Sequence, residues 1–216
     1  MNFYKKEKLF WNTLNYFEYL KFFFHGSSKR FLEIIRQFFN SENIFFTSSG
    51  RGAINIGLKV LDLKKNDQVF IPPFLSSCII DSITSIATPS LEFNKNTKAI
   101  ILYHHWGYMQ DIYAIKEYIK MKEIFVIEDC AYTFWAKYGE YDAGSFGDLS
   151  SFSLSKIFRI TYCGLLKINR HNLVNEVKKI LAKEISLIER FEHLKGTFTY
   201  LNYYSKPINK RNGYAE

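Results

Sequence analysis

Between Ile124 and Lys156 the chain reads IFVIEDCAYTFWAKYGEYDAGSFGDLSSFSLSK, an order of residues that leaves few folds open. Ile124 to Ile127 is an apolar run bounded by charge on both sides. Such a run predicts a central strand of a parallel sheet, covered on both faces. Glu128 and Asp129 follow at the expected carboxyl end of that strand, where open α/β sheets hold their ligands. A polar segment punctuated by Gly139, Gly144 and Gly147 leads to a second short alternation, Phe152 and Leu154 among Ser151, Ser153 and Ser155, which ends at Lys156. A carboxylate at one strand tip and a lysine at another can converge on one cofactor. Pyridoxal phosphate (PLP) asks for that pair: the lysine for a Schiff base, the acid to keep the ring nitrogen protonated.

Upstream, strand, turn and helix alternate three times. Ile44 to Phe46 predicts a short strand. The turn Thr47-Ser48-Ser49-Gly50-Arg51-Gly52 then enters a helix over Ala53 to Leu61, and its free N–H groups and helix dipole suit an anion. Gln68 to Pro73 predicts a second strand and FLSSCIIDSI the start of a helix. Ala99 to Tyr103 predicts a third, followed by His104-His105-Trp106-Gly107 and a helix over Ile112 to Lys120. That alternation argues an α/β fold with a mostly parallel central sheet and helices on both faces. After Lys156, two short strands are expected around Gly164, then a long amphipathic helix over Leu173 to Leu194. At the start of the chain, helical spacing predicts an amphipathic helix over Lys8 to Phe24 and a second over Lys29 to Phe39. The expected division is a helical segment over 1–40, an α/β domain over 41–172, and a helix with a tail over 173–216.

The function classes narrow further with composition. Of 216 residues, 47% are hydrophobic and 23% charged, which suits a packed core rather than a disordered chain. No uncharged apolar run approaches the roughly 18 residues of a membrane span, and the aromatic start lacks a secretory cleavage pattern. Cys78, Cys130 and Cys163 are too scattered for a disulfide framework or a metal site, and His104 and His105 have no Cys or carboxylate at ligand spacing, so no metal is expected. The chain reads as cytoplasmic. Its net charge of +8 is spread without a basic stripe or nucleic-acid motif, so an anionic small molecule is favoured over a nucleic acid.

The segments SSGRGAI, IEDCAYTF and GSFGDLSSFSLSK, in that order, resemble the DegT/DnrJ/StrS family of PLP-dependent sugar aminotransferases, from about Phe45 to Ile168. The resemblance implies the large domain of a fold type I PLP enzyme. It implies that Lys156 forms the Schiff base, that Asp129 holds the ring nitrogen, and that Ser49, Gly50, Arg51 and Ser153 take the phosphate. Tyr132 stands where the family has a glutamine against the cofactor's phenolic oxygen. The ring-stacking position falls at Ser76, with the chain's aromatic at Phe74, which leaves the stacking residue open and Phe74 a candidate core residue. His104 matches a His-x-x-Gly turn and is expected to line the cleft. Lys167 reads as structural.

By that resemblance the activity is transfer of an amino group, from glutamate, to a keto group of an anionic nucleotide-linked sugar, in a homodimer with no transmembrane segment. Family members continue into a small C-terminal domain, so this chain is expected to be a shortened homologue or a truncated product. Two other readings stand beside it: a non-catalytic assembly or regulatory subunit, and a peripheral membrane protein led by the aromatic N-terminal helix.

Overall fold

The computed structural model describes residues 27–120, 122–157 and 163–184. The expected helix over Lys8 to Phe24, and the part of the last helix beyond residue 184, lie outside the described residues. A seven-stranded sheet forms the middle layer. In chain order its strands are β1 (Ile44–Thr47), β2 (Gln68–Phe70), β3 (Thr88–Ser90), β4 (Thr97–Tyr103), β5 (Phe125–Asp129), β8 (Leu149–Ser153) and β9 (Gly164–Ile168), arranged β1-β9-β8-β5-β4-β2-β3. The pairs β2/β3, β2/β4, β4/β5 and β5/β8 are parallel, whereas β9 runs antiparallel to both β1 and β8. A two-strand hairpin, β6 (Lys137–Tyr138) and β7 (Tyr141–Asp142), stands apart from the sheet.

The helices are α1 (Ser27–Phe39), α2 (Gly50–Val60), α3 (Ser77–Ile86), α4 (Ile112–Ile119), α5 (Leu154–Ile157) and α6 (Val174–Glu184). One core cluster joins α2, α3 and α6 to one sheet face through Ile54, Leu58, Ile83, Val177, Ile127 and Leu149. On the other face, α1 packs through Ile35 against Ile44, Phe152 and Leu165, while α4 packs through Ile112 against Ile100 and Val126. Helices therefore cover both faces. Each face owes its partner to strand alternation, which sends Val126 one way and Ile127 the other. Among the described residues, no helix is long and apolar enough to cross a membrane.

Several sequence expectations change. Pro72 and Pro73 cannot extend a ladder, and β2 ends at Phe70. Of the two short strands expected around Gly164, the second is β9, and the first falls on residues 158–162, outside the described residues. The strand leading to Lys156 stops at Ser153, and Lys156 sits in the single helical turn α5. Phe74 is 81% exposed and is not a core residue. The short strand β3 and the hairpin β6/β7 carry too little periodicity to be predicted.

Candidate active site

The carboxyl ends of β4, β5 and β8 meet at one rim. β5 ends in Glu128 and Asp129, and the parallel register sets Asp129 beside Tyr103 on one side and Ser151 on the other. Alternation puts the two acids on opposite faces: Asp129 shares the face of Ile127 and helix α2, Glu128 that of Val126 and helix α4. Asp129 is buried, and its Oδ1 accepts the Ala131 N–H at 3.0 Å and the Ser151 hydroxyl at 3.4 Å. Burial raises its pKa, and the Ala131 N–H, the Lys156 charge and Ser151 offset only part of that. Asp129 is thus a buried acid short of a full counter-charge, suited to a cationic ring N–H. Tyr103 beside it has a raised pKa from burial, reinforced by Asp129 and Tyr132.

Lys156 and Tyr132 complete this group. The Lys156 Nζ lies over the Tyr132 ring, 3.7 Å from its centroid. Tyr132 is half exposed, in a turn held by the Thr133 N–H on the Cys130 carbonyl (3.1 Å) and the Thr133 hydroxyl on the His104 carbonyl (3.3 Å).

A second group gathers where β1 and β8 end and β9 begins. Ser49 caps α2, its Oγ accepting the Gly52 N–H at 3.1 Å, which commits that hydroxyl to the helix. The Thr47 hydroxyl donates to the Ser49 carbonyl at 2.9 Å and braces the turn. Ser153 and Gly164 are paired across β8/β9. A Cβ on Gly50 would lie 3.0 Å from the Ser153 Cβ, and one on Gly164 would lie 2.2 Å from the Ser49 carbonyl carbon. The two glycines let the turn seat directly on the strand ends, where the N-terminus of α2 makes a cradle suited to an anion. The Ser153 Oγ lies 3.3 Å from that of Ser155. Arg51 is exposed on the first turn of α2, at the rim of the cradle. The structure therefore brings Asp129, Tyr132 and Lys156 together, and Ser49, Gly50 and Ser153 together. Strand β8 links the groups through Ser151 and Ser153, two residues apart on one face.

On the opposite face lies a buried network that sequence reasoning missed. Glu128 accepts His104 Nε2–H (2.8 Å), the N–H groups of Gly144 (2.7 Å), Phe146 (3.1 Å) and Gly147 (2.9 Å), and the Ser150 hydroxyl (3.4 Å). Burial pushes its pKa up, but the bonds from His104, Gly147 and Gly144 outweigh it and the net shift is downward. The Gln110 N–H donates to His104 Nδ1 at 3.2 Å, which assigns the Nε2–H tautomer. His104 is fully buried and does not line the cleft. Lys167 Nζ donates to the Gly144 carbonyl at 2.9 Å, so Glu128 and Lys167 hold the N–H and the C=O of one residue. Burial lowers the Lys167 pKa, opposed in part by Glu128. Ligand-type atoms of His104, Glu128 and Cys130 do lie within 4.8 Å of one another, although their spacing along the chain gave no sign of it. Both His104 nitrogens and the Glu128 oxygens are committed to hydrogen bonds, and burial, with Glu128 and Asp129 nearby, raises the Cys130 thiol pKa well above its usual value. Such a donor set is built to hold a loop, not a cation.

Residues 28–212 match the sequence profile of a family described as "Putative PLP-dependent aminotransferase". GDP-perosamine synthase of Escherichia coli O157:H7 is 27% identical over 69% of this chain and 43% of its own length. The dTDP-4-dehydro-2,3,6-trideoxy-D-glucose 4-aminotransferase of Saccharopolyspora spinosa is 23% identical over 79% of this chain and 49% of its own length. The chain spans about half the length of the curated relatives it matches. Among solved structures, a DegT DnrJ EryC1 StrS aminotransferase from Brucella abortus superposes with a TM-score of 0.65 at 17% identity, over 73% of this chain and 50% of that one. Sheet order, helix layers and this superposition give the fold of a fold type I large domain, and with the profile match covering most of its length the chain belongs to this family of PLP-dependent aminotransferases.

Proposed function

We propose that the chain takes part in transferring an amino group to the keto group of a nucleotide-linked sugar, with PLP as cofactor. The observation that carries this reading is the convergence of Asp129, Tyr132 and Lys156 on the face of the sheet where α2 begins. Two features fit the cofactor. Gly164 leaves no room for a Cβ and Gly50 little, so that a turn suited to an anion seats on the strand ends. Asp129 is a buried carboxylate with a raised pKa, which a ring N–H would satisfy. The Gly50 turn at the N-terminus of α2, with Ser153 and Arg51, would hold the phosphate, and Ser49 shapes the turn. Tyr132 would stand beside the ring, and Lys156 would be the residue that holds the aldehyde carbon. When bound, PLP supplies an electron-accepting ring. Asp129 keeps a proton on the ring nitrogen by offering it a buried negative charge. Lys156 Nζ would move a proton at the substrate carbon, as general base and then general acid.

Support for the substrate class comes from the names of the relatives, a GDP-perosamine synthase and a dTDP-sugar 4-aminotransferase. Glutamate as donor rests on the family resemblance. A homodimer is supported by the exposed aromatics Trp106, Tyr108 and Trp135 near the rim. The test is to add PLP to the purified chain, alone and with glutamate, and then to supply GDP- or dTDP-linked 4-keto sugars. A visible absorption band lost on adding glutamate and restored by the keto sugar is the expected result. Absence of a band that stays with the protein once unbound PLP is removed overturns the reading.

A further inference from the structure

We propose that Tyr132 is the dock for the Lys156 ammonium in the cofactor-free site, a positioning residue whose ring fixes where the amine waits. This inference rests on the reading of Lys156 as the cofactor lysine. The Nζ stands 3.7 Å from the Tyr132 centroid, well inside the roughly 6 Å at which a ring face attracts an ammonium. The ring's base is fixed from both sides. Ala131 before it donates its N–H to Asp129 at 3.0 Å, and Thr133 after it is bonded to Cys130 and His104. On the Tyr132 carbonyl sits Gly107 (φ +87°), so near that an added Cβ would lie 3.6 Å away.

Lys156 has the opposite character. It is exposed, on a four-residue helix, at the end of a flexible stem. Without a partner its amine would spread over many rotamers. With one, it is parked beside Asp129, close enough for its charge to lower that carboxyl's pKa. The glutamine found here in the resembling family has no ring face to offer. This chain therefore differs from that pattern at the residue touching its reactive amine, and the difference changes what the amine rests on. A ring face attracts the ammonium but not the neutral amine. The dock thus keeps the Lys156 amine placed over the ring in the cofactor-free site.

The experiment uses the full chain without cofactor, treated with limiting acetic anhydride near neutral pH. Acetylation of Lys156 is quantified by peptide mass against the exposed Lys95. Tyr132→Leu and Tyr132→Gln should raise Lys156 labelling by about threefold, and Tyr132→Phe, which keeps the ring, should leave it at the parent's rate. Leu and Gln variants that label like the parent, or a Phe variant that labels like Leu, overturn the dock. A second arm adds PLP and borohydride to the parent and locates the tag. A tag on another lysine removes the role assigned to Lys156, and the dock with it. A tag on Lys156 without the labelling contrast removes the dock alone.

Discussion

Glu128 and Asp129 are consecutive in the chain and point to opposite faces of the sheet, one into a saturated hydrogen-bond network and the other toward a lysine. The period of two along β5 makes the separation, and burial acts on both. Glu128 receives enough donors to hold its charge; Asp129 does not. One acid is held by the fold's own donors; the other, with its raised pKa, is the one proposed to meet the ring nitrogen.

Stability should separate them. Glu128→Ala leaves the N–H groups of Gly144, Phe146 and Gly147 and the His104 Nε2–H without their acceptor, and removes the largest opposite-charge influence on Lys167. Breaking such a buried set costs roughly 3–5 kcal/mol. Asp129→Asn keeps shape and removes a poorly compensated charge, so the cofactor-free chain should change by less than about 1 kcal/mol. Urea unfolding of the two variants at neutral pH checks the ranking, and equal losses would show that the two acids share one role.

The pH dependence should differ in sign. The Glu128 pKa is below its ordinary 4.5 in the fold, so the unfolded chain takes up that proton first as pH falls. Its stabilising contribution is complete above about 4.5 and is lost as pH drops through the lower folded value. Asp129 is raised above 3.8, so its contribution is complete below that value and is lost as pH rises through the folded one. The urea midpoint gap between parent and Glu128→Gln should therefore shrink from pH 7 toward pH 3.5. Over the same range Asp129→Asn should lose whatever advantage it has over the parent at pH 7.

How far the sequence led can be judged at these residues. Asp129, Lys156 and the Ser49-Gly50 turn were legible because each is a local pattern: an apolar strand ending in an acid, a serine alternation ending in lysine, a Ser/Gly turn opening a helix. The Glu128 network was not. Its partners come from four separate segments, His104, Gly144 to Gly147, Ser150 and Lys167, and only the sheet register brings them together. The adjacent polar residues Glu128 and Asp129 at the end of a buried strand were the one available signal, since alternation must send one of them away from the site. Lys156 was expected at a strand tip because Phe152 and Leu154 alternate with serines. β8 stops at Ser153, and the Ser155 N–H reaches the Cys163 carbonyl at 3.4 Å. Phe74 was misread as a candidate core residue because hydrophobicity alone does not tell a core side chain from one on an exposed rim.

Gly164 should prove more sensitive than its place in a strand suggests. A Cβ there would sit 2.2 Å from the Ser49 carbonyl carbon and 2.6 Å from the Gly50 nitrogen, both backbone atoms that cannot swing aside. Gly164→Ala should push the turn off the strand ends and weaken PLP binding at least tenfold, about 1.4 kcal/mol. Equilibrium dialysis of PLP against the variant measures it. Gly52→Ala is the control, because its Cβ would meet the Ser48 hydroxyl, a side-chain end free to rotate. Equal binding by the two variants would remove the turn from the phosphate site.

Capture of the cofactor tests the two central residues separately. Lys156 is an exposed side chain on a one-turn helix and carries little packing, so Lys156→Ala should keep the parent's urea midpoint. With the amine gone, PLP should no longer be fixed by borohydride, and intact mass should show the bare chain. Asp129→Asn should behave in the opposite way. It retains the amine and should still be tagged at Lys156, but its neutral amide cannot favour a protonated ring nitrogen. One pKa unit corresponds to about 1.4 kcal/mol, so loss of a buried charge at that atom should slow the glutamate-driven loss of the visible band by a hundredfold or more. Tagging that survives Lys156→Ala would move the covalent role to another lysine. An Asp129→Asn variant that reacts at the parent's rate would leave the ring nitrogen without its proposed partner, and the convergence of Asp129 and Lys156 would then have no chemical purpose.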